Sequence, residues 1–120
     1  MDLLAADPDP EDVARLDLET TRVCDRLRTM SLVRLRAPIA DVRTRAGEAA
    51  RIAQGLADAA ADLADRQRRD LPELPDSAAA DMLAVCAHDL AEELRRSPDA
   101  QSADVCRRWV LELIDLRIAL

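Results

Sequence analysis

The chain contains no lysine, asparagine, tyrosine or phenylalanine among its 120 residues, so arginine carries every basic side-chain charge apart from His88. Its single tryptophan is Trp109. These absences exclude the aromatic cages that bind quaternary ammonium groups and the aromatic platforms that stack single-stranded nucleic acid. They also leave one histidine, the side chain that most often moves protons near neutral pH. The missing residue types share AT-rich codons, which indicates a GC-rich bacterial genome.

Cysteine and glycine are also scarce. Cys24, Cys86 and Cys106 are widely separated and form no Cys-x-x-Cys pair, so neither a disulfide framework nor a zinc site is predicted. Each lies on or beside an apolar stripe, where a thiol behaves as a small hydrophobic group. The two glycines, Gly47 and Gly55, do not form a phosphate-binding loop or a nucleophile elbow. We therefore expect a protein without a cofactor and without enzymatic activity.

Long apolar runs are missing as well. A membrane-spanning helix needs about 20 mainly apolar residues, and no stretch of this chain approaches that length. Residues 1–7 lack the basic segment and the long apolar run of a secretory signal. We expect a cytoplasmic protein.

What the chain does have is charge in unequal blocks. Its 24 carboxylates outnumber its 17 arginines and give a net charge of −7, which argues against general binding of nucleic acid or of anionic membranes. Residues 22–51 reverse this balance, because eight arginines face only three carboxylates there and give a local charge of +5. A local basic patch of this kind is able to bind an anionic partner.

Apolar residues recur every three or four positions between prolines, a pattern typical of amphipathic helices. The unbroken spacing from Ile39 to Leu63 makes the second helix the longest, with its start near Pro38. Ser97 is predicted to cap the last helix, with Pro98 at its first position. We expect an all-α, single-domain, antiparallel four-helix bundle with a long central second helix. The predicted helices are about residues 10–29, 38–69, 76–96 and 98–119, with 31–37 as a short turn or a kinked helical segment.

Four arginines surround the joint near Pro38, namely Arg34, Arg36, Arg43 and Arg45. Guanidinium groups suit bidentate contacts to carboxylates and phosphates. One interpretation is that these side chains neutralise acidic residues of the same chain. The leading functional hypothesis is that they bind an acidic surface of another protein, in an interaction or regulatory bundle. A regulator that docks on nucleic acid is the third hypothesis.

The alternative hypothesis is a small-molecule or metal-binding bundle, with or without enzymatic activity, centred on His88. Glu92 lies four residues after His88 and Asp81 seven residues before it, so all three share one helix face. The competing interpretation is a solvated charged face, opposite the apolar stripe of the same helix.

The last predicted helix is apolar around much of its circumference, and exposed apolar patches usually mark interfaces. We therefore expect a homodimer, with Trp109, Leu113 and Leu116 assigned to packing or assembly.

Overall fold

The computed structural model describes residues 10–40, 43–97 and 99–120. Four main helices of similar length pack around one core, and a short helix, a two-stranded hairpin and a 3₁₀ turn lie between them. The elements are α1 (Pro10–Arg28), α2 (Leu32–Leu35), β1 (Pro38–Ala40), β2 (Arg43–Thr44), α3 (Arg45–Leu63), the 3₁₀ turn (Asp76–Ala78), α4 (Ala79–Arg96) and α5 (Ala100–Ala119).

The main helices form a ring in which α1 neighbours α4 and α5, and α3 completes the ring between them. Ion pairs from Asp17 to Arg95 and from Arg28 to Asp81 show that α1 and α4 are antiparallel. In contrast, the contacts of α1 with α5, from the Asp12 carbonyl to Cys106 and from Glu19 to Arg117, advance in the same direction along both helices.

The pair α3 and α4 is also parallel. Ala46 and Met82, near the two N-termini, line one groove, while Arg66 reaches Glu93 beyond the other end, with 3.7 Å between Nη2 and Oε1. The antiparallel arrangement expected from the sequence therefore holds for α1 with α4 and for α3 with α5. It fails for the other two neighbouring pairs, because residues 64–75 return along the bundle as an extended connector instead of a tight turn.

The long second helix predicted over 38–69 is wrong at both ends. Pro38 pairs with Thr44 in an antiparallel hairpin, and α3 begins only at Arg45. Thr44 is the N-cap, since its hydroxyl accepts a hydrogen bond from the Gly47 N–H over 3.0 Å. The pattern that starts at Ile39 is thus shared by a strand and a helix. The sequence also predicts an ion pair between Asp41 and Arg45, four residues apart, but Asp41 lies outside the described residues.

The C-terminus of α3 is a Schellman motif. The Arg66 N–H donates to the Ala61 carbonyl, and the Asp65 N–H donates to the Asp62 carbonyl. Asp65 adopts a left-handed conformation with φ 54°, a position that glycine usually takes. Because no glycine or asparagine marks the stop, the sequence pattern alone does not reveal it.

The other helices agree closely with the predicted ranges. The segment left open at 31–37 contains α2, whose N-cap is Ser31. The last helix begins at Ala100, and Asp99, not Ser97, caps it by accepting from the Ser102 N–H over 2.8 Å. Pro98 lies outside the described residues.

The core is built mainly from leucine and alanine. Seven large aliphatic side chains are completely enclosed: Leu16, Ile52, Leu56, Leu83, Leu90, Leu94 and Leu113. Alanines between them, including Ala49, Ala53 and Ala91, allow the helices to approach closely. Among the described residues, no helix combines the length and the hydropathy that crossing a membrane requires.

Candidate protein-interaction surface

The four arginines singled out in the sequence lie in consecutive elements at one end of the bundle, where α1 passes through α2 and the hairpin into α3. We call this surface the arginine end and define it by Arg34, Arg36, Arg43 and Arg45. The cap at Thr44 and the hairpin register fix the backbone that carries Arg43 and Arg45. The backbone N–H of Arg45 also donates to the Ala37 carbonyl over 3.1 Å, which ties the hairpin to the end of α2.

Two of these arginines pair with carboxylates of the same chain. Arg36 Nε lies 3.2 Å from Asp76 Oδ2 in the 3₁₀ turn, and Arg43 Nε lies 3.5 Å from Glu48 Oε2 in the first turn of α3. Both guanidinium groups stay substantially exposed, and exposed pairs of this kind contribute little to stability. The neutralising interpretation therefore applies to Arg36 and Arg43, without removing them from solvent.

The other two arginines bind backbone oxygens. Arg34 Nη2 donates to the Leu120 carbonyl over 3.4 Å, and Arg45 Nη1 donates to the Pro38 carbonyl over 3.3 Å. Within the described part of the chain, neither of them forms an ion pair with an aspartate or glutamate side chain, and Arg45 Nε is buried without a hydrogen-bond partner. These two side chains therefore carry positive charge that no aspartate or glutamate of the described residues neutralises.

The arginine end also exposes apolar side chains that sequence reasoning missed. Leu32 is 46 % exposed and Val33 is 81 % exposed, although both are large and aliphatic. Leu35 is buried and fixes α2 to the core, so the other side of this one-turn helix must face solvent. We call Leu32 and Val33 the α2 apex. The signal was present in the sequence, because a four-residue helix is able to bury only one side.

Glu48 joins the arginine end to the bundle. Its carboxylate accepts hydrogen bonds from Arg51 Nε over 2.9 Å and from Nη2 over 2.6 Å. These bonds hold the pKa of Glu48 below its usual value of 4.5, with a further contribution from the charge of Arg43. Arg51 Nη2 also lies 3.4 Å from Glu112 Oε2 of α5, so this network joins the N-terminal half of α3 to α5.

The residues assigned to packing or assembly are enclosed by the chain itself. Trp109, Leu113 and Leu116 are all buried in the core. The Trp109 ring lies against Gly55 of α3, and Arg108 covers the ring with 5.0 Å between its guanidinium carbon and the ring centroid. These three side chains therefore pack within the chain and do not form an exposed surface.

The three residues of the His88 face do not form a shared binding site among the described residues. His88 is exposed on α4, and Asp81 of the same face forms an ion pair with Arg28 of α1 over 3.1 Å. Glu92 lies 3.3 Å from Arg95, its neighbour on the helix surface. Among the residues that the structure describes, no three histidine, cysteine or carboxylate side chains are grouped closely enough to hold a metal ion.

All three cysteines are buried. Burial raises the pKa of Cys86 to about 11, and burial also raises the pKa of Cys24, whose thiol donates to the Ala80 carbonyl over 3.3 Å. Cys106 donates to the Asp12 carbonyl over 3.4 Å. For Cys24 and Cys86, a raised thiol pKa disfavours the thiolate, the form that acts as a nucleophile.

Two buried carboxylates that the sequence did not reveal serve the packing of helices. Glu19 accepts from Arg22 over 2.8 Å and from Arg117 of α5 over 3.1 Å. Glu93 accepts from Arg96 over 3.0 Å and lies 3.7 Å from Arg66. Because each carboxylate has two cationic partners, its burial is compensated and its role is structural.

Comparisons with protein-family models, with curated proteins and with solved structures give no match for this chain.

Proposed function

We propose that this protein is a non-enzymatic interaction module that binds an acidic, partly apolar segment of another protein at its arginine end. The observation that carries the proposal is the exposure of Leu32 and Val33 in α2, the short helix that also carries Arg34 and ends at Arg36. Hydrophobic side chains rimmed by arginine are typical of protein interfaces, where apolar anchors supply affinity and charge supplies orientation.

Charge supports an acidic partner. Arg34 and Arg45 have no aspartate or glutamate partner among the described residues, and Arg36 and Arg43 make only exposed pairs that a partner is able to replace. A carboxylate-rich segment would therefore meet four guanidinium groups around two apolar side chains. The local charge attracts such a segment even though the whole chain carries −7.

A photo-crosslinking amino acid at position 33 tests this proposal in native host cells. We expect it to capture a discrete protein through a segment rich in aspartate, glutamate and aliphatic residues, and nuclease treatment should leave the product intact. The matched control is the same probe at Val85, a comparably exposed apolar residue (60 %) on α4 that belongs neither to the arginine end nor to the α2 apex. Capture of the same proteins at both positions would contradict the proposal.

The contribution of charge is tested by replacing the four arginines with alanine. We expect crosslinking at position 33 to fall at least tenfold while the circular dichroism spectrum keeps its helical form. Unchanged crosslinking in a folded variant would refute the arginine assignment, and a product that nuclease removes would favour a nucleic-acid partner instead. A control with the same change in net charge replaces exposed arginines elsewhere: Arg15, Arg69, Arg95 and Arg107.

A further inference from the structure

Helix α5 also carries apolar side chains on the side that faces solvent, next to Ile114 at the edge of the core. Leu111 is 61 % exposed and Ile118 is 73 % exposed, and Ile114 between them is half-buried. Their spacing of three and four residues places all three on one side of the helix, away from the buried Leu113 and Leu116. We call these three residues the α5 stripe. A stripe of this spacing is the kind of surface that a second helix packs against.

Two exposed charges lie along one flank of the α5 stripe. Arg108 and Asp115 are seven residues apart, so they point to the same side of the helix, about 10 Å apart along its axis at 1.5 Å per residue. That separation prevents an ion pair between them. Arg108 contacts the Trp109 ring, and neither residue forms an ion pair with another part of the described chain.

A second copy of α5 in antiparallel orientation satisfies both charges at once. In such a pair, a twofold axis between positions 111 and 114 sets Leu111 against Ile114 of the second copy. Residues on the same flank of each helix then meet, which brings Arg108 within two residues, about 3 Å along the helix axis, of the position opposite Asp115 of the second copy, and Asp115 equally near its Arg108. An isologous contact of this kind is self-complementary and closes at two copies.

We propose that this chain forms a twofold homodimer through the α5 stripe, with two reciprocal Arg108–Asp115 ion pairs. Arg108 precedes Asp115 by two turns on one flank of α5. In an antiparallel copy the order is reversed, so each positive charge lies near a negative one. One helix pair is a small interface, so the dimer dissociates in the micromolar range. The dimer contact uses none of the four arginines of the arginine end, although Arg34 contacts the Leu120 oxygen at the end of α5 over 3.4 Å.

Charge reversal and its restoration test the proposal by sedimentation velocity from low to high micromolar protein. We expect dimer for the native chain and monomer for Arg108→Asp and for Asp115→Arg, because each variant sets like charges against each other. The double variant should regain the dimer, since the pairs are re-formed with opposite polarity. Leu111→Ser should weaken the dimer at least tenfold, because Leu111 is the residue set against Ile114 of the second copy, whereas Val85→Ser should leave it unchanged.

A native chain that stays monomeric over this range would overturn the proposal. Single charge reversals that leave the dimer intact would also overturn it, as would a double variant that remains monomeric while its circular dichroism matches the native chain. The fourfold alanine variant of the arginine end should retain the dimer, so failure of one proposal is distinguishable from failure of the other.

Discussion

Gly55 of α3 lies directly beneath the Trp109 ring of α5. A Cβ atom built on Gly55 would stand 2.1 Å from Cη2 of Trp109, far inside van der Waals contact. The missing side chain therefore makes the space that the indole fills, and the only aromatic side chain of the protein is accommodated by one of its two glycines.

Replacing Gly55 with alanine should destabilise the fold by about 1–3 kcal/mol, because the added methyl group overpacks the contact with Trp109. Alanine is otherwise the better helix former by about 1 kcal/mol, so the sign depends on the indole. In a Trp109→Val background, the same Gly55→Ala change should stabilise. Urea unfolding of the four proteins, followed by circular dichroism, measures both differences. Destabilisation of equal size in both backgrounds would show that the indole is not the cause.

The positive φ of Asp65 gives a second prediction. An L-residue in the left-handed region is strained, and glycine is not, so Asp65→Gly should stabilise the protein by about 1 kcal/mol. Asp65→Ala removes the same carboxylate but keeps the Cβ atom, so it should give no comparable gain. Thermal unfolding of both variants at one pH makes the comparison. An equal gain from alanine would attribute the effect to charge instead of backbone conformation.

The sequence predicts the existence of the four main helices well, because apolar spacing and prolines act locally. It fails where the deciding contacts are distant or where an uncommon residue takes a structural role. Asp65 follows the end of α3 in a left-handed conformation that glycine usually adopts, so no glycine in the sequence marks the end of the helix. The hairpin at Pro38 interrupts an apolar pattern that is continuous in the sequence. Both errors lengthened the predicted second helix and hid the connector that makes α3 and α4 parallel.

The candidate surfaces were predictable only where residues close in sequence are also close in space. The clustering of Arg34, Arg36, Arg43 and Arg45 in sequence is also a clustering in space, since short elements join them. The burial of Trp109 depends on Gly55, which lies more than fifty residues away in the chain, so periodicity alone did not separate core from interface on α5. Leu111 and Ile118 belong to the same helix but point away from the core.

The cysteines provide a third prediction. Because all three thiols are buried and the pKa of Cys86 is raised to about 11, a thiol-specific chromogenic disulfide should react slowly with the native protein at neutral pH. In denaturant, three thiols should react rapidly per chain. A thiol that reacts stoichiometrically within the mixing time under native conditions would contradict this and would identify an accessible nucleophile. Single Cys→Ala variants would then identify the residue.

Glu48 should make stability depend on pH in acid. Hydrogen bonds from Arg51 lower the pKa of Glu48 in the folded protein below its usual value of 4.5, so the unfolded chain takes up the proton first as the pH falls. The pair therefore stabilises the fold above pH 4.5, and this contribution is lost as the pH falls through the lowered folded-state pKa. Glu48→Gln should cost stability at neutral pH, and the difference from the native chain should shrink towards zero in acid. Urea unfolding across this range measures that difference. In an Arg51→Ala background, the pH dependence of the difference should be smaller, because the principal hydrogen-bond donor is gone. A difference that stays constant with pH would show that Glu48 acts through packing and not through its charge.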